Sequence, residues 1–359
     1  MKLADSYKQT QYQLAGHGKR NIEVLKEAFD QVDGEMDSDI YGEGHVIESF
    51  ERKIAALLGK ERAVFFPSGT MAQQAALRIW CDEKGSRKIA YHPLCHLEIH
   101  EEDGPRKLHH FEVTHLADET RVIEMDDLIN IDDGVSAVLL ELPQRELGGR
   151  LPSFETLQKI SAYCREKGIR LHLDGARLLE VLPYYKKTAS EVSKLFDSVY
   201  LSFYKGIGGI AGAILAGEES FVNQARVWKR RHGGDLICLY PYIIPADHFY
   251  EKRKDKMADY YVSAKELAKS FNACNGVTTI PAEPVSNMFH VHLPFKKEEA
   301  EAFIAEIHEE TAIGLTAKVQ ERGNQVYFEL SLGDNYQSIP KDALSHLFTV
   351  LENKMKTSV

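Results

Sequence analysis

Ser136-Ala-Val-Leu-Leu-Glu-Leu142 is apolar at nearly every position and is followed at once by Pro143. A short run that is apolar on both faces reads as a strand covered on both sides. That pattern belongs to parallel sheets dressed with helices rather than to antiparallel sandwiches. Residues 63–66, 88–91, 169–173 and 198–203 are similar runs. Amphipathic stretches lie between them, at 70–81 and from a Ser153 cap to Gly168. Strands alternating with helices predict an α/β fold whose mostly parallel central sheet is flanked by helices.

Near residue 241 the pattern changes. A long helical stretch, 246–271, follows a Pro-rich connection (Pro241, Pro245), and two strands are expected at 285–293 and 325–332, with helices at 296–310 and 340–355. This reads as a smaller α+β domain. The expected organisation is an N-terminal segment 1–40 packing on the small domain or a partner subunit, a large domain 41–243 and a small domain 244–359.

A chain of 359 residues buries a core without metal or disulfide staples. Its 54 acidic against 44 basic residues, a charge of −10, speak against a general nucleic-acid binder, which needs basic surface. The five cysteines are scattered, without any Cys-x-x-Cys pair, so neither a disulfide framework nor a zinc ribbon is expected. The first twenty residues are polar, and the most apolar stretch is interrupted by Lys205 and several glycines. No secretory signal or membrane span is expected, and the setting read from this is cytoplasmic.

Four local features bear chemistry. Phe66-Pro-Ser-Gly-Thr70, between a strand and a helix, is either an ordinary capping turn or a phosphate cradle built from backbone amides and two hydroxyls. His172-Leu-Asp-Gly-Ala-Arg177 ends an apolar strand abruptly in charge. It is a solvent-facing turn, or a ligand site in which Asp174 pairs with a protonated ring nitrogen and Arg177 with an anion. Lys205 interrupts an apolar run; burial lowers an amine's pKa and yields the neutral nucleophile that condenses with an aldehyde. The glycines after it would let a flat group approach the backbone. His92, His96 and His100 are spaced four apart. They read as a metal face, or as one functional ring with two bystanders. Together these features ask for a phosphate, a ring nitrogen, an aldehyde and a flat face. Pyridoxal 5′-phosphate has all four.

In their order and spacing, Tyr41-Gly-Glu, the helix end Ala-Ala-Leu-Leu-Gly59, Phe-Pro-Ser-Gly-Thr-Met71, His96, Gly148-Gly149, His-Leu-Asp-Gly-Ala-Arg-Leu178 and Lys205-Gly resemble the low-specificity threonine aldolase branch of the beta-eliminating lyases. The similarity runs from about Asp39 to Gly234. It implies the aspartate aminotransferase-like fold (fold type I), with Lys205 as the covalent anchor of the cofactor. Asp174 would sit at the ring nitrogen, His96 on the ring, and Ser68, Gly69 and Thr70 at the phosphate. Arg177 would touch the ring hydroxyl or the substrate carboxylate, and Tyr41 would line the substrate pocket. Arg230, before His232-Gly233-Gly234, matches a basic position near the phosphate. The resemblance further implies an amino acid substrate, no metal, and a homodimer or homotetramer with shared sites.

Departures are specific. The family's N-terminal Leu-Arg-Ser-Asp-Thr is absent. Gln144, in Leu142-Pro-Gln-Arg145, stands where aldolases carry a histidine, and Tyr327 stands at or near the place of a carboxylate-binding arginine. The third glycine of the phosphate loop is Asp235. Arg145 is a candidate replacement for the missing arginine. The expected reaction is carbon–carbon cleavage of a β-hydroxy amino acid such as L-allo-threonine or L-threonine to glycine and acetaldehyde. β-Elimination from a cysteine- or serine-like substrate is the second reading, and a cofactor-binding protein without turnover the third.

Overall fold

The computed structural model describes residues 2–30 and 32–358. They divide into two compact units, one formed by residues 20–147 and 151–255, the other by 2–19, 148–150 and 256–358.

The larger unit is built on seven strands: β1 (Arg62–Phe66), β2 (Lys88–Tyr91), β3 (Glu112–His115), β4 (Val135–Glu141), β5 (Arg170–Gly175), β6 (Ser198–Ser202) and β7 (Ala213–Gly217), in the spatial order β1-β7-β6-β5-β4-β2-β3. Pairing is parallel from β3 through β6. Only β7 runs the other way, antiparallel to both β6 and β1. The sheet is therefore mostly parallel, as its apolar runs predict. In β4 every residue up to Leu140 is buried, the consequence of helices on both faces.

The helix Gly69–Lys84 crosses one face, its small and apolar residues packing on β1, β4 and β7. Trp80 stacks on Phe221 of the helix Glu219–Arg231 at 4.4 Å. Ser153 caps the helix Phe154–Glu166 by accepting from the Thr156 amide, the capping the sequence predicts.

The expected single helix over 246–271 is two. Tyr240–Arg253 comes first, with Pro241 tolerated in its first turn, and Met257–Asn272 follows a 3₁₀ turn. Pro241 and Pro245 thus lie in a helix rather than in a connection.

The smaller unit holds a four-stranded antiparallel sheet, β8 (Thr278–Ile280), β9 (Met288–Leu293), β10 (Gln320–Arg322) and β11 (Gln325–Ser331), in the order β10-β11-β9-β8. One face, with Phe289, Val291, Phe328 and Leu330, joins a core with the helices Met257–Asn272, Lys297–Thr311 and Lys341–Ser358. Tyr327 points from the opposite face and stacks between His290 and His292, at 4.5 and 5.1 Å.

Candidate active site

With one strand reversed, the carboxyl ends of β1, β2, β4, β5 and β6 share one edge of the sheet, where open α/β sheets place their ligands. The segments that leave this edge carry Ser68, His96, Gln144, Arg177 and Lys205.

Lys205 is half-buried in a tight loop closed by Gly208 N–H to the Lys205 carbonyl at 2.9 Å and Gly209 N–H to the Phe203 carbonyl at 2.7 Å. Two arginines hold the loop's other carbonyls. Arg20 donates to Tyr204 and Gly209, both at 3.3 Å, and the buried Arg253 donates to Ile207 at 2.6 Å. The Ser68-Gly69-Thr70 turn packs on the same stretch. A Cβ on Gly69 would stand 2.1 Å from Tyr200 Oη and 2.7 Å from Tyr204 Oη, so only glycine fits there. Ser68 is the N-cap of the Gly69–Lys84 helix, and its hydroxyl makes no capping bond, so the helix does not consume it.

Asp174, 2% exposed at the end of β5, accepts from Gln73 Nε2 at 2.8 Å and from the Ala176 amide at 3.0 Å. Burial holds its carboxyl above the usual carboxylate range. Its register neighbour on β4 is Glu141, pushed up to about 8 by burial and by the Asp174 charge. Two adjacent carboxyls in a dry place do not both ionise cheaply. Asp174, with Gln73, the Ala176 amide, His96 and Arg177 favouring its anion, carries the charge, and Glu141 carries the proton. Gln144 is turned inward. Its amide donates to the Leu94 carbonyl at 3.0 Å and to Glu141 at 3.1 Å, while the Arg145 amide donates to the other Glu141 oxygen at 3.2 Å. The Arg145 guanidinium lies 3.6 Å from Glu146. Arg177, buried at the start of the helix Leu178–Tyr185, is the cation acting on Asp174, Glu141 and Glu180 alike.

His96 opens the short helix after β2, and its Nδ1 lies 3.3 Å from Glu101 Oε1. The Glu101 side chain is 2% exposed and also accepts from Gln74 at 2.8 Å. His92 is buried between the Arg121 carbonyl and the Leu94 amide, and His100 bonds to Glu146 at 3.0 Å. The three rings therefore have separate hydrogen-bond partners, although the His96 and His100 rings lie 5.1 Å apart. Tyr41 and Arg230, far apart in sequence, form a second exposed pair. The guanidinium stands 5.6 Å from the ring centre and is held by Asp235 at 2.7 Å.

Four residues with parts in this arrangement escape a reading of the sequence: Gln73, Glu101, Glu141 and Glu180. Glu141 carried a visible signal, a charge ending an apolar strand as Asp174 does. Glu101 had a weaker one, a carboxylate five residues after His96.

The sequence profile described as Beta-eliminating lyase matches residues 28–294, which takes in this entire edge of the sheet. The chain belongs to the beta-eliminating lyase family. Two solved structures are alike over almost the whole chain. A candidate L-allo-threonine aldolase from Listeria monocytogenes shares 55% identity, with 98% of each chain covered and a TM-score of 0.96. A candidate aromatic amino acid beta-eliminating lyase/threonine aldolase from Exiguobacterium sp. shares 54% identity over 98% of this chain and 99% of its own, also at 0.96. The low-specificity L-threonine aldolase 1 of Arabidopsis thaliana is 26% identical over 284 residues, 76% of this chain and 78% of the relative.

This beta-eliminating lyase is a pyridoxal 5′-phosphate enzyme of fold type I. Its residues fit that cofactor. Both hydrogen-bond donors that reach buried Asp174 are neutral, and a buried carboxylate calls for a cationic partner such as a protonated ring nitrogen. The uncapped Ser68 hydroxyl at a helix N-terminus suits a phosphate. Among the described residues no helix is long and apolar enough to cross a membrane.

Proposed function

We propose that this lyase is an aldolase that cleaves a β-hydroxy-α-amino acid, such as L-allo-threonine or L-threonine, to glycine and acetaldehyde. The observation that carries the reading is the likeness over 98% of both chains to the candidate L-allo-threonine aldolase, together with the pairing of half-buried His96 with buried Glu101 on the edge that bears Lys205 and Asp174. The cofactor, when bound, supplies an electron sink for charge that builds at the substrate Cα. Lys205 attaches it, Asp174 keeps its ring nitrogen protonated, and Ser68, Gly69 and Thr70 hold its phosphate. His96 would pack against its ring. Arg177 grips the substrate carboxylate, because a planar guanidinium engages both oxygens.

Cleavage requires the β-hydroxyl to lose its proton. Both Gln144 amide hydrogens are committed to Leu94 and Glu141, and an amide is no base in any case. With Nδ1–H given to Glu101, His96 presents Nε2 as the acceptor for that proton. Tyr41 and Arg230 are exposed and extend the site of a second copy, in a homodimer or homotetramer with shared sites. All five cysteines are free, in keeping with a reducing cytoplasm.

An amino acid panel with product analysis by mass spectrometry tests this reading. Glycine plus acetaldehyde supports the aldolase; pyruvate plus ammonia from a serine- or cysteine-like substrate replaces it with β-elimination. That second reading is favoured by Gln144, which removes the histidine that aldolases carry at this position.

A further inference from the structure

The glycine after Lys205 was expected to make room for a flat ligand. A side chain of the protein fills that room instead. A Cβ on Gly206 would stand 1.8 Å from Glu180 Oε1, 2.4 Å from its Cδ and 3.0 Å from its Cγ. Gly206 has no positive φ, so space alone requires glycine here. Glu180 comes from the first turn of the helix Leu178–Tyr185 and is 2% exposed. The Gly206 amide and its own amide act on its carboxylate, Arg177 is the cation that favours its charge, and Oε1 has no hydrogen-bond partner.

A buried carboxyl with one oxygen unpartnered and aimed at one backbone turn costs stability, so its placement needs a reason. The rest of the loop is fastened from its carbonyl side, by Arg20 and Arg253. From the amide side, Ser202 Oγ accepts from the Tyr204 amide at 3.3 Å on one flank of the lysine, and Glu180 meets Gly206 on the other.

We propose that Glu180 is a positioning residue for Lys205: by seating the Gly206 backbone it fixes the turn from which the lysine projects toward the cofactor. The proposal rests on the reading of Lys205 as the covalent anchor. A displacement of about 1 Å at a reacting group costs up to about a hundredfold in rate.

The test is covalent capture rather than turnover. Apo-protein is mixed with pyridoxal 5′-phosphate, quenched with borohydride at timed intervals, and the tagged peptide is mapped and quantified by mass spectrometry. In Glu180→Ala the rate of tagging at Lys205 should fall about ten- to a hundredfold, while thermal melting shows a folded protein. Glu180→Gln, which keeps an oxygen for the Gly206 amide, should recover most of the rate. Gly206→Ala should be slow as well, since its Cβ would displace the carboxyl. If Glu180→Ala tags Lys205 at the wild-type rate, Glu180 has no such role. If Glu180→Ala does not fold, an unchanged rate in Gly206→Ala overturns the proposal equally. A wild-type protein tagged elsewhere than Lys205 would instead bring down the reading of the site itself.

Discussion

Glu180→Gln should make the apo-protein more stable, by an amount that grows with pH. Glu180 is 2% exposed, and burial pushes its carboxyl up to about 7 from an ordinary 4.5. Below pH 4.5 the proton is bound in both the folded and the unfolded chain, and the residue contributes nothing to the pH dependence. Between 4.5 and 7 the unfolded chain has released a proton that the folded protein still holds, so folding loses about 1.4 kcal/mol per pH unit. Above 7 the loss is complete, at about 3 kcal/mol for the 2.5-unit difference. Glutamine has no proton to release. Any constant effect of the substitution on packing cancels when the two proteins are compared across pH. Urea unfolding at several pH values between 4.5 and 8 measures this directly. Because the urea slope for a chain of this size exceeds the roughly 1–3 kcal/mol per molar of small proteins, the gap between midpoints should widen by up to about 1 M across the range. Midpoint curves that stay parallel would mean that Glu180 is not a buried acid, and the account of its surroundings would fail with it.

Lys205→Ala should abolish borohydride tagging of the peptide containing residue 205, and a tag on another lysine in the wild type would displace it as the anchor. Arg177→Lys should raise KM for the amino acid by about tenfold or more, because one ammonium does not reproduce the guanidinium fork; unchanged kinetics would place the carboxylate elsewhere. Glu101→Gln should lower kcat on a β-hydroxy substrate by about tenfold with little change in KM, since it leaves the Gln74 contact possible but no longer fixes the His96 tautomer. Thr70→Ala and Arg230→Ala should each weaken cofactor affinity about ten- to a hundredfold while sparing kcat at saturating cofactor, as titration of cofactor against apo-protein would show.

The fold was legible because its signal is redundant. Five apolar runs separated by amphipathic stretches admit few sheets other than a covered parallel one, and an error at one boundary, or the missed edge strand Glu112–His115, leaves the pattern intact. The strand Ala213–Gly217 was lost among glycines, and only pairing on both sides defines it as the reversed member. The first turns of the Tyr240–Arg253 helix were hidden by Pro241 and Pro245, which act as breakers in local propensity but are tolerated where packing compensates. In the site, residues embedded in ordered motifs were legible: Asp174 ends a strand, and Lys205 breaks an apolar run. Their supports were not. Gln73 and Glu180 sit on helices, where a single polar residue looks like solvent-facing surface until the helix is docked, and Glu101 sits in a bend between two short helices, where a charge reads as an ordinary loop residue.

Those supports share one electrostatic economy. Asp174, Glu141 and Glu180 are three carboxyls held in poorly solvated surroundings, and the same guanidinium, Arg177, acts on all of them. Burial drives two of the acids toward their neutral forms, to about 7 at Glu180 and, with the Asp174 charge beside it, to about 8 at Glu141, and the one guanidinium does not offset it. What remains is one favoured anion, at Asp174, supported by the Gln73 amide and the Ala176 backbone. An apo-protein arranged this way is less stable than one with apolar residues at 141 and 180 would be. In the proposed role of Asp174 this cost has a use: a buried negative charge supported by neutral donors would bind a protonated ring nitrogen far more strongly than a solvated carboxylate does. Glu141, kept protonated, leaves that charge undivided at Asp174, and Glu180 spends its own burial on the turn that presents Lys205.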